Sequence, residues 1–330
     1  DRVVIAGDMN SWNPDRGIKL KRLAGTNLWH ARVNFEPAAR LDYKLVIDGG
    51  RWIVDPRNPR TMLGGFGPNS ELRMPGYEAP WYLDPRFDRI DGAPPAGKLH
   101  EHTIWSEALN ENRRFAVYTP PGWKMALQKP SPALYLNDGG DYLRLIDTPE
   151  LLDRMIARGT IPPLVAVFID PADRRTEYVP NEDYLAFLTD ELVPFMQWEY
   201  RTDPDAARTA ILGVSMGGLS SVYAGVARPD VFGLVGAHSG AFTYAGGEVL
   251  ALAESAPSLP HRFALTVGTY ERAVSGNTKE GDLLGAQRRL VEILAQRGAN
   301  YRAVERPEGH SWGLWRGDLD DTLGFLFSVE

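Results

Sequence analysis

The segment Gly213-Val214-Ser215-Met216-Gly217-Gly218 sets a serine between two glycines, each two positions away. It follows the apolar run Thr209-Ala210-Ile211-Leu212 and precedes a helical pattern over 219–227. A strand running into a helix through such a turn lifts the serine hydroxyl clear of the backbone, and glycines at 213 and 217 remove side chains that would collide there. The chemistry on offer is nucleophilic attack by the Ser215 hydroxyl, which needs a base to take its proton. Six histidines are available. His30, His100 and His102 lie well upstream and His261 precedes a strand-like run; these four read as packing or surface residues. His238, in Gly236-Ala237-His238-Ser239-Gly240, ends the next apolar run and is the rival, expected to border the site. His310, in Pro307-Glu308-Gly309-His310-Ser311-Trp312, sits in a turn between a strand-like stretch at 301–305 and the last helical segment, and is the expected base.

An imidazole acting as base is oriented by an acid. Gly268-Thr269-Tyr270-Glu271 follows the apolar run at 263–267 and offers Glu271, with Asp282 as the nearest alternative. The negative charge that develops on an attacked carbonyl oxygen calls for backbone N–H donors. Met216, at the start of the helix after the serine, supplies one. The second is expected from Gly140 or Asp141 in Leu136-Asn137-Asp138-Gly139-Gly140-Asp141, although a Gly-Gly pair after Asp is also an ordinary turn. The 330-residue chain has no cysteine, which excludes a thiolate nucleophile, a disulfide and cysteine-bound zinc. Its formal charge of −7 gives no attraction to phosphate backbones and argues against a nucleic-acid partner. No apolar run approaches the roughly 18 residues a membrane span requires, and the N-terminus carries no signal pattern, so a soluble chain is expected.

The elements that must hold these residues fall into two groups. Over 1–77, short strand-like runs (Val3-Val4-Ile5-Ala6, Trp29-His30-Ala31-Arg32-Val33, Tyr43-Lys44-Leu45-Val46-Ile47) alternate with turn signals such as Asp48-Gly49-Gly50, the pattern of a small β-sandwich. Residues 78–97 are rich in Pro, Gly and Asp and read as a linker. Over 98–330, apolar runs at 114–118, 133–136, 164–169, 209–213 and 263–267 alternate with helical periodicity, clearest at 184–198 and 282–297. This predicts an α/β fold with a mostly parallel, doubly wound sheet.

The second region resembles the enterochelin esterase and feruloyl esterase group of α/β-hydrolases. The likeness is carried by Ser106-Glu107-Ala108-Leu109 through Arg114, Tyr118-Thr119-Pro120-Pro121-Gly122, Asp138-Gly139-Gly140, Arg175-Thr176-Glu177, Glu191-Leu192-Val193-Pro194, the serine turn, and Gly309-His310-Ser311-Trp312 with Trp315-Arg316. The resemblance implies a serine hydrolase of carboxylic esters that uses no metal or other cofactor. Ser215, Glu271 and His310 fall on its catalytic positions in the order serine, acid, histidine, with Glu271 where many relatives carry Asp. The first region, with Ala6-Gly7-Asp8-Met9-Asn10-Ser11-Trp12, Trp29, Tyr43-Lys44, Asp48-Gly49 and Asp55-Pro56, resembles the immunoglobulin-like module of starch-branching enzymes and glycogen-binding proteins. In siderophore esterases such a module helps shape the substrate cleft, which suits Trp81 and Tyr82 lying near the site. Trp12 and Trp52 are expected in the module's core, the alternative being sugar stacking. Arg175 is a candidate contact for an anionic substrate, although Arg175 and Glu177 read first as loop-holding ion pairs. Trp312 and Trp315 are expected to pack the last helix, and either could line an acyl pocket.

Hydrolysis of a small-molecule ester, a siderophore or an acylated saccharide, is thus the leading expectation. An acyltransferase passing the same acyl group to another hydroxyl, and an inactive carbohydrate-binding protein, are the rivals.

Overall fold

The structure, a computed structural model, describes residues 2–83, 94–124, 129–274 and 280–328. Half of the expected linker, 84–93, lies outside the described residues. The N-terminal region is all-β. Strands β1 (Val3–Gly7), β2 (Ile18–Lys19), β3 (Lys21–Arg22), β4 (Trp29–His30), β5 (Arg40–Ile47), β6 (Arg51–Ile53), β7 (Thr61–Gly64) and β8 (Gly67–Arg73) pair antiparallel. The main sheet has the order β2-β1-β5-β8-β7 with β6 on β5, and β3 and β4 form a separate ribbon. The run expected at 29–33 pairs only over its first two residues.

The C-terminal region is a doubly wound sheet of β9 (Lys98–Ser106), β10 (Glu111–Thr119), β11 (Ala133–Asn137), β12 (Val165–Ile169), β13 (Thr209–Val214), β14 (Leu234–His238), β15 (Arg262–Gly268) and β16 (Tyr301–Arg306), in the order β16-β15-β14-β13-β11-β12-β10-β9. The pairs from β12 through β16 are parallel, whereas β9 and β10 add antiparallel strands at one edge. Strands covered on both faces are buried along their whole length and mostly apolar, as β11 to β14 are, and successive side chains enter opposite cores. In β12, Val165, Val167 and Ile169 face one cluster with Leu219, Leu290 and Ile293, while Ala166 and Phe168 face the other with Leu151, Leu319 and Leu323. Each fully buried Val, Leu, Ile or Phe among these contributes about 2 kcal/mol. Met62 of β7 joins the second cluster, so the N-terminal sheet packs against the helix Trp312–Leu326.

The order of strands reverses between β12 and β13, around β11. In open α/β sheets the carboxyl ends of the strands at this reversal open a crevice, because neighbouring connections leave in opposite directions. The loops after β11, β13, β15 and β16 all end there.

Candidate active site

β13 ends at Val214, and Ser215 turns the chain into the helix Met216–Ala227 with φ 56° and ψ −118°, outside the regions a side chain prefers. The turn is held by its own amides: Ser215 N–H donates to His238 O (2.9 Å), and Ser215 O accepts from Leu219 and Ala241 N–H (3.1 Å each). Gly213 is sterically required, since a Cβ there would sit 2.4 Å from the backbone carbonyl of Gly217.

His310, in the loop after β16, stands 3.1 Å from the Ser215 Oγ through Nε2, and its Nδ1 donates to Glu271 Oε2 at 2.6 Å. With Nδ1 protonated toward a carboxylate, Nε2 is left as the acceptor facing the serine hydroxyl. Glu271 is fully buried, and its other oxygen accepts from Ser239 Oγ and Gly268 N–H, both at 2.7 Å. Ser239 in turn accepts from Trp315 Nε1 at 2.8 Å, and the Trp315 ring meets His310 edge-on at 5.0 Å. Three donors converging on a buried acid, each itself anchored, leave it one orientation.

The remaining expectations divide. The Met216 amide opens its helix, where N–H groups have no acceptor within the helix and the dipole favours negative charge. The Gly140 amide donates to Asp170 Oδ1 (2.9 Å), and the Asp141 amide closes a turn onto Asp138 O (3.0 Å), so both are engaged. Asp282 caps the helix Leu283–Gln296 through Gly285 N–H and is thereby spent. His238 meets the serine turn only through its carbonyl, and its side chain does not line the cleft: it is fully buried, its Nε2 lies 2.9 Å from Thr322 Oγ1, and burial pushes its pKa down to about 4. Beneath the sheet it faces Asp318, whose carboxyl stays far below the usual range because Arg302 and Arg306 outweigh its burial. Arg175 is exposed and its amide donates to Asp173 Oδ1 in a turn; its neighbour Arg174 lines the cleft instead and grips Asp138 through two bonds of 2.8 Å. Glu177 pairs with Arg113 of β10 rather than with Arg175, at 2.7 and 2.9 Å. Trp81 packs under the Arg158 guanidinium, away from the cleft, because the chain from Pro80 runs along the C-terminal helix.

The cleft over Ser215 has a volume of about 680 Å³ and two walls. The C-terminal side presents Ser215, His310, Trp312, Trp315, Asp138 and Arg174. The N-terminal side presents Trp12, Lys44, Trp52 and Phe66. Trp12 and Trp52, expected in the core, stack on each other at 6.5 Å along this wall, and Trp52 is 41% exposed. Among the described residues, the strands of this region outside its six-stranded sheet are the short β3 and β4 alone, too few to bury both rings. Burial pushes Asp138 up to about 6 against the pull of Arg174. Sequence reasoning missed Ser239 and Arg174, and held an exposed Trp12 and Trp52 only as the alternative to core packing; of the two missed, only Ser239, directly after the strand bearing His238, left a positional signal.

The sequence profile of the Esterase family, described as "Putative esterase", matches residues 106–326. An iron(III) enterobactin esterase of Escherichia coli K12 is 30% identical over 269 residues, which cover 73% of this chain and 64% of that protein. This chain therefore spans under two thirds of that relative's length. An endo-1,4-beta-xylanase/feruloyl esterase of Xylanibacter ruminicola is 26% identical over 220 residues, covering 63% of this chain and 29% of that protein. The crystal structure of an enterobactin esterase from Shigella flexneri, solved in the presence of enterobactin, matches with a TM-score of 0.79 at 25% identity over 99% of this chain and 88% of that one.

Proposed function

We infer, since this chain belongs to the Esterase family, that it is a serine carboxylic ester hydrolase working through an acyl-enzyme, with Ser215 as nucleophile, His310 as base and Glu271 as the acid that orients it. The observation that carries this is the linear relay from Ser215 Oγ through His310 to Glu271, 3.1 and 2.6 Å, opening on the cleft. His310 Nε2 takes the hydroxyl proton as Oγ attacks the ester carbonyl, and the Glu271 carboxylate stabilises the imidazolium. The oxyanion is held by the Met216 amide and by Gly140, whose present acceptor is the exposed Asp170 side chain that solvent or substrate can displace; Asp141, locked in a backbone turn, is the weaker donor. His310 passes its proton to the leaving alcohol, then activates water for the second half-reaction.

The substrate is a small-molecule ester with a ring or rings to lay on Trp12, Trp52 and Phe66, in a cleft of ordinary ligand size. Siderophore and feruloyl esters, the substrates named for the relatives, both fit that description. Residues 1–77 form an immunoglobulin-like module that supplies one cleft wall, and 98–330 the catalytic domain. The test is hydrolysis of p-nitrophenyl esters, methyl ferulate and enterobactin by wild type and Ser215→Ala. Cleavage lost in Ser215→Ala supports the reading, and a wild type inert on every ester overturns it.

A further inference from the structure

Arg40, in β5 of the N-terminal sheet, is wholly buried at the seam between the two regions. Its Nε donates to Glu71 and its Nη2 to Asp42, both at 2.6 Å within its own module. Its Nη1 reaches across the seam to Ser311 Oγ at 3.1 Å and to Glu308 at 3.4 Å, the residues that flank Gly309 and His310. The Arg40 amide donates to Pro307 O at 3.2 Å. Neighbouring contacts are equally close: a Cβ at Gly309 would fall 2.2 Å from Asp8 Cγ, and one at Gly313 would fall 1.9 Å from the Arg40 guanidinium carbon. Residues 307, 308, 309, 311 and 313 thus each touch the N-terminal module, while from the opposite side Glu308 O accepts from Tyr270 N–H (3.2 Å) and Arg306 O from Thr269 N–H (2.7 Å).

We propose that Arg40 is a positioning residue for catalysis, its guanidinium fixing the Glu308–Ser311 loop so that His310 stays in line between Ser215 and Glu271, which makes the N-terminal module part of the catalytic unit. This rests on the Ser215–His310 reading above. A guanidinium suits the task because its planar fork serves four acceptors at once, whereas a lysine ammonium is a shorter point charge. Arg40→Lys keeps a cation beside Asp42 and Glu71, avoiding unneutralised buried carboxylates, but cannot also span to Glu308 and Ser311.

The experiment measures, on the full chain, the rate at which a small fluorophosphonate labels Ser215, kcat and KM on a p-nitrophenyl ester, and the thermal midpoint. Arg73→Gln is the control, since it removes the other cation on Glu71 without touching the His310 loop. Arg40→Lys is expected to lower labelling and kcat together by about 10- to 100-fold with KM within about threefold, while Arg73→Gln stays near wild type. If Arg40→Lys fails to fold, Ser311→Ala cuts a single contact and is expected to lower labelling about threefold to tenfold. Labelling at the wild-type rate in the folded variant, or an equal loss in Arg73→Gln, overturns the proposal. A wild type that the probe does not label at Ser215 overturns the triad reading itself, and this one with it.

Discussion

Glu271→Gln tests the relay at its most buried point. Two oxygens of Glu271 receive three donors, from His310 Nδ1, Ser239 Oγ and Gly268 N. Glutamine fills the same space with one oxygen and one NH₂. With the NH₂ toward Gly268, a fixed backbone donor would face a donor in a dry site, at a cost of about 1–3 kcal/mol. With the NH₂ toward His310, the imidazole has only to change tautomer so that Nδ1 accepts, and this arrangement wins. Nε2 then carries the proton and donates to Ser215, which it can no longer deprotonate. A wrong tautomer in this geometry lowers kcat by about 10⁴-fold, or about 5 kcal/mol. Glu271→Asp withdraws the carboxylate by about 1.5 Å, one C–C bond, so the 2.6 Å contact opens toward about 4 Å and kcat falls about 10- to 100-fold. Both are read by stopped-assay kcat on a p-nitrophenyl ester at pH 8, with thermal midpoints to establish that the variants are folded. A folded Glu271→Gln within tenfold of wild type would refute the role of Glu271 and leave Ser215 and His310 to act as a dyad.

Ser239→Ala removes one donor to Glu271 and strands the buried Trp315 Nε1, so kcat should fall about tenfold at unchanged KM, with a stability loss of about 2–4 kcal/mol by urea titration; unaltered kcat would show that the remaining donors suffice. Phe66→Ala should leave stability unchanged, because Phe66 is fully exposed at the cleft wall. If substrate covers roughly 80 Å² of the ring at about 25 cal/mol/Å², KM for an aromatic ester should rise about 30-fold at constant kcat, and an unchanged KM would remove Phe66 from the binding surface. Burial pushes Glu308 up to about 7, outweighing Arg40 and Arg306. Its folded value lies above the ordinary 4.5, so its contribution to stability is complete below that value and lost as pH rises through about 7. The thermal midpoint should therefore fall less between pH 6 and 8 in Glu308→Gln than in wild type, and parallel curves would contradict this.

Elements whose environment is set by local pattern were legible. Four of the five apolar runs over 114–267 lie within a strand of the central sheet and the run at 164–169 overhangs β12 by Leu164 alone; those at 133–136, 164–169, 209–213 and 263–267 fall on strands buried almost throughout, which have no polar side to disguise them. β9 escaped: as an edge strand it alternates exposed residues such as Glu101 and Thr103 with half-buried ones, a weaker signal. The helix expected over 184–198 forms as Glu182–Ala186 and Val193–Tyr200 with a wider turn at Phe187–Leu192 between them, next to Pro194, which has no N–H to give. Trp12 and Trp52 were misjudged because aromatic composition predicts burial on average, while their exposure depends on how few strands stand opposite them.

By itself the sequence determined the serine turn and the alternation of strands and helices, since each is a matter of residue type and spacing along one backbone, while the expected order of serine, acid and histidine came from the family resemblance. Only the tertiary structure decided which carboxylate meets His310, because Asp282 is a helix cap and Glu271 is not. It also decided that the His238 side chain turns from the cleft to Thr322 of the last helix, that Arg174 rather than Arg175 faces the cleft, and that Arg40 touches the His310 loop 268 positions away. Those outcomes depend on distances between segments remote in sequence, which no local periodicity encodes and which packing alone sets.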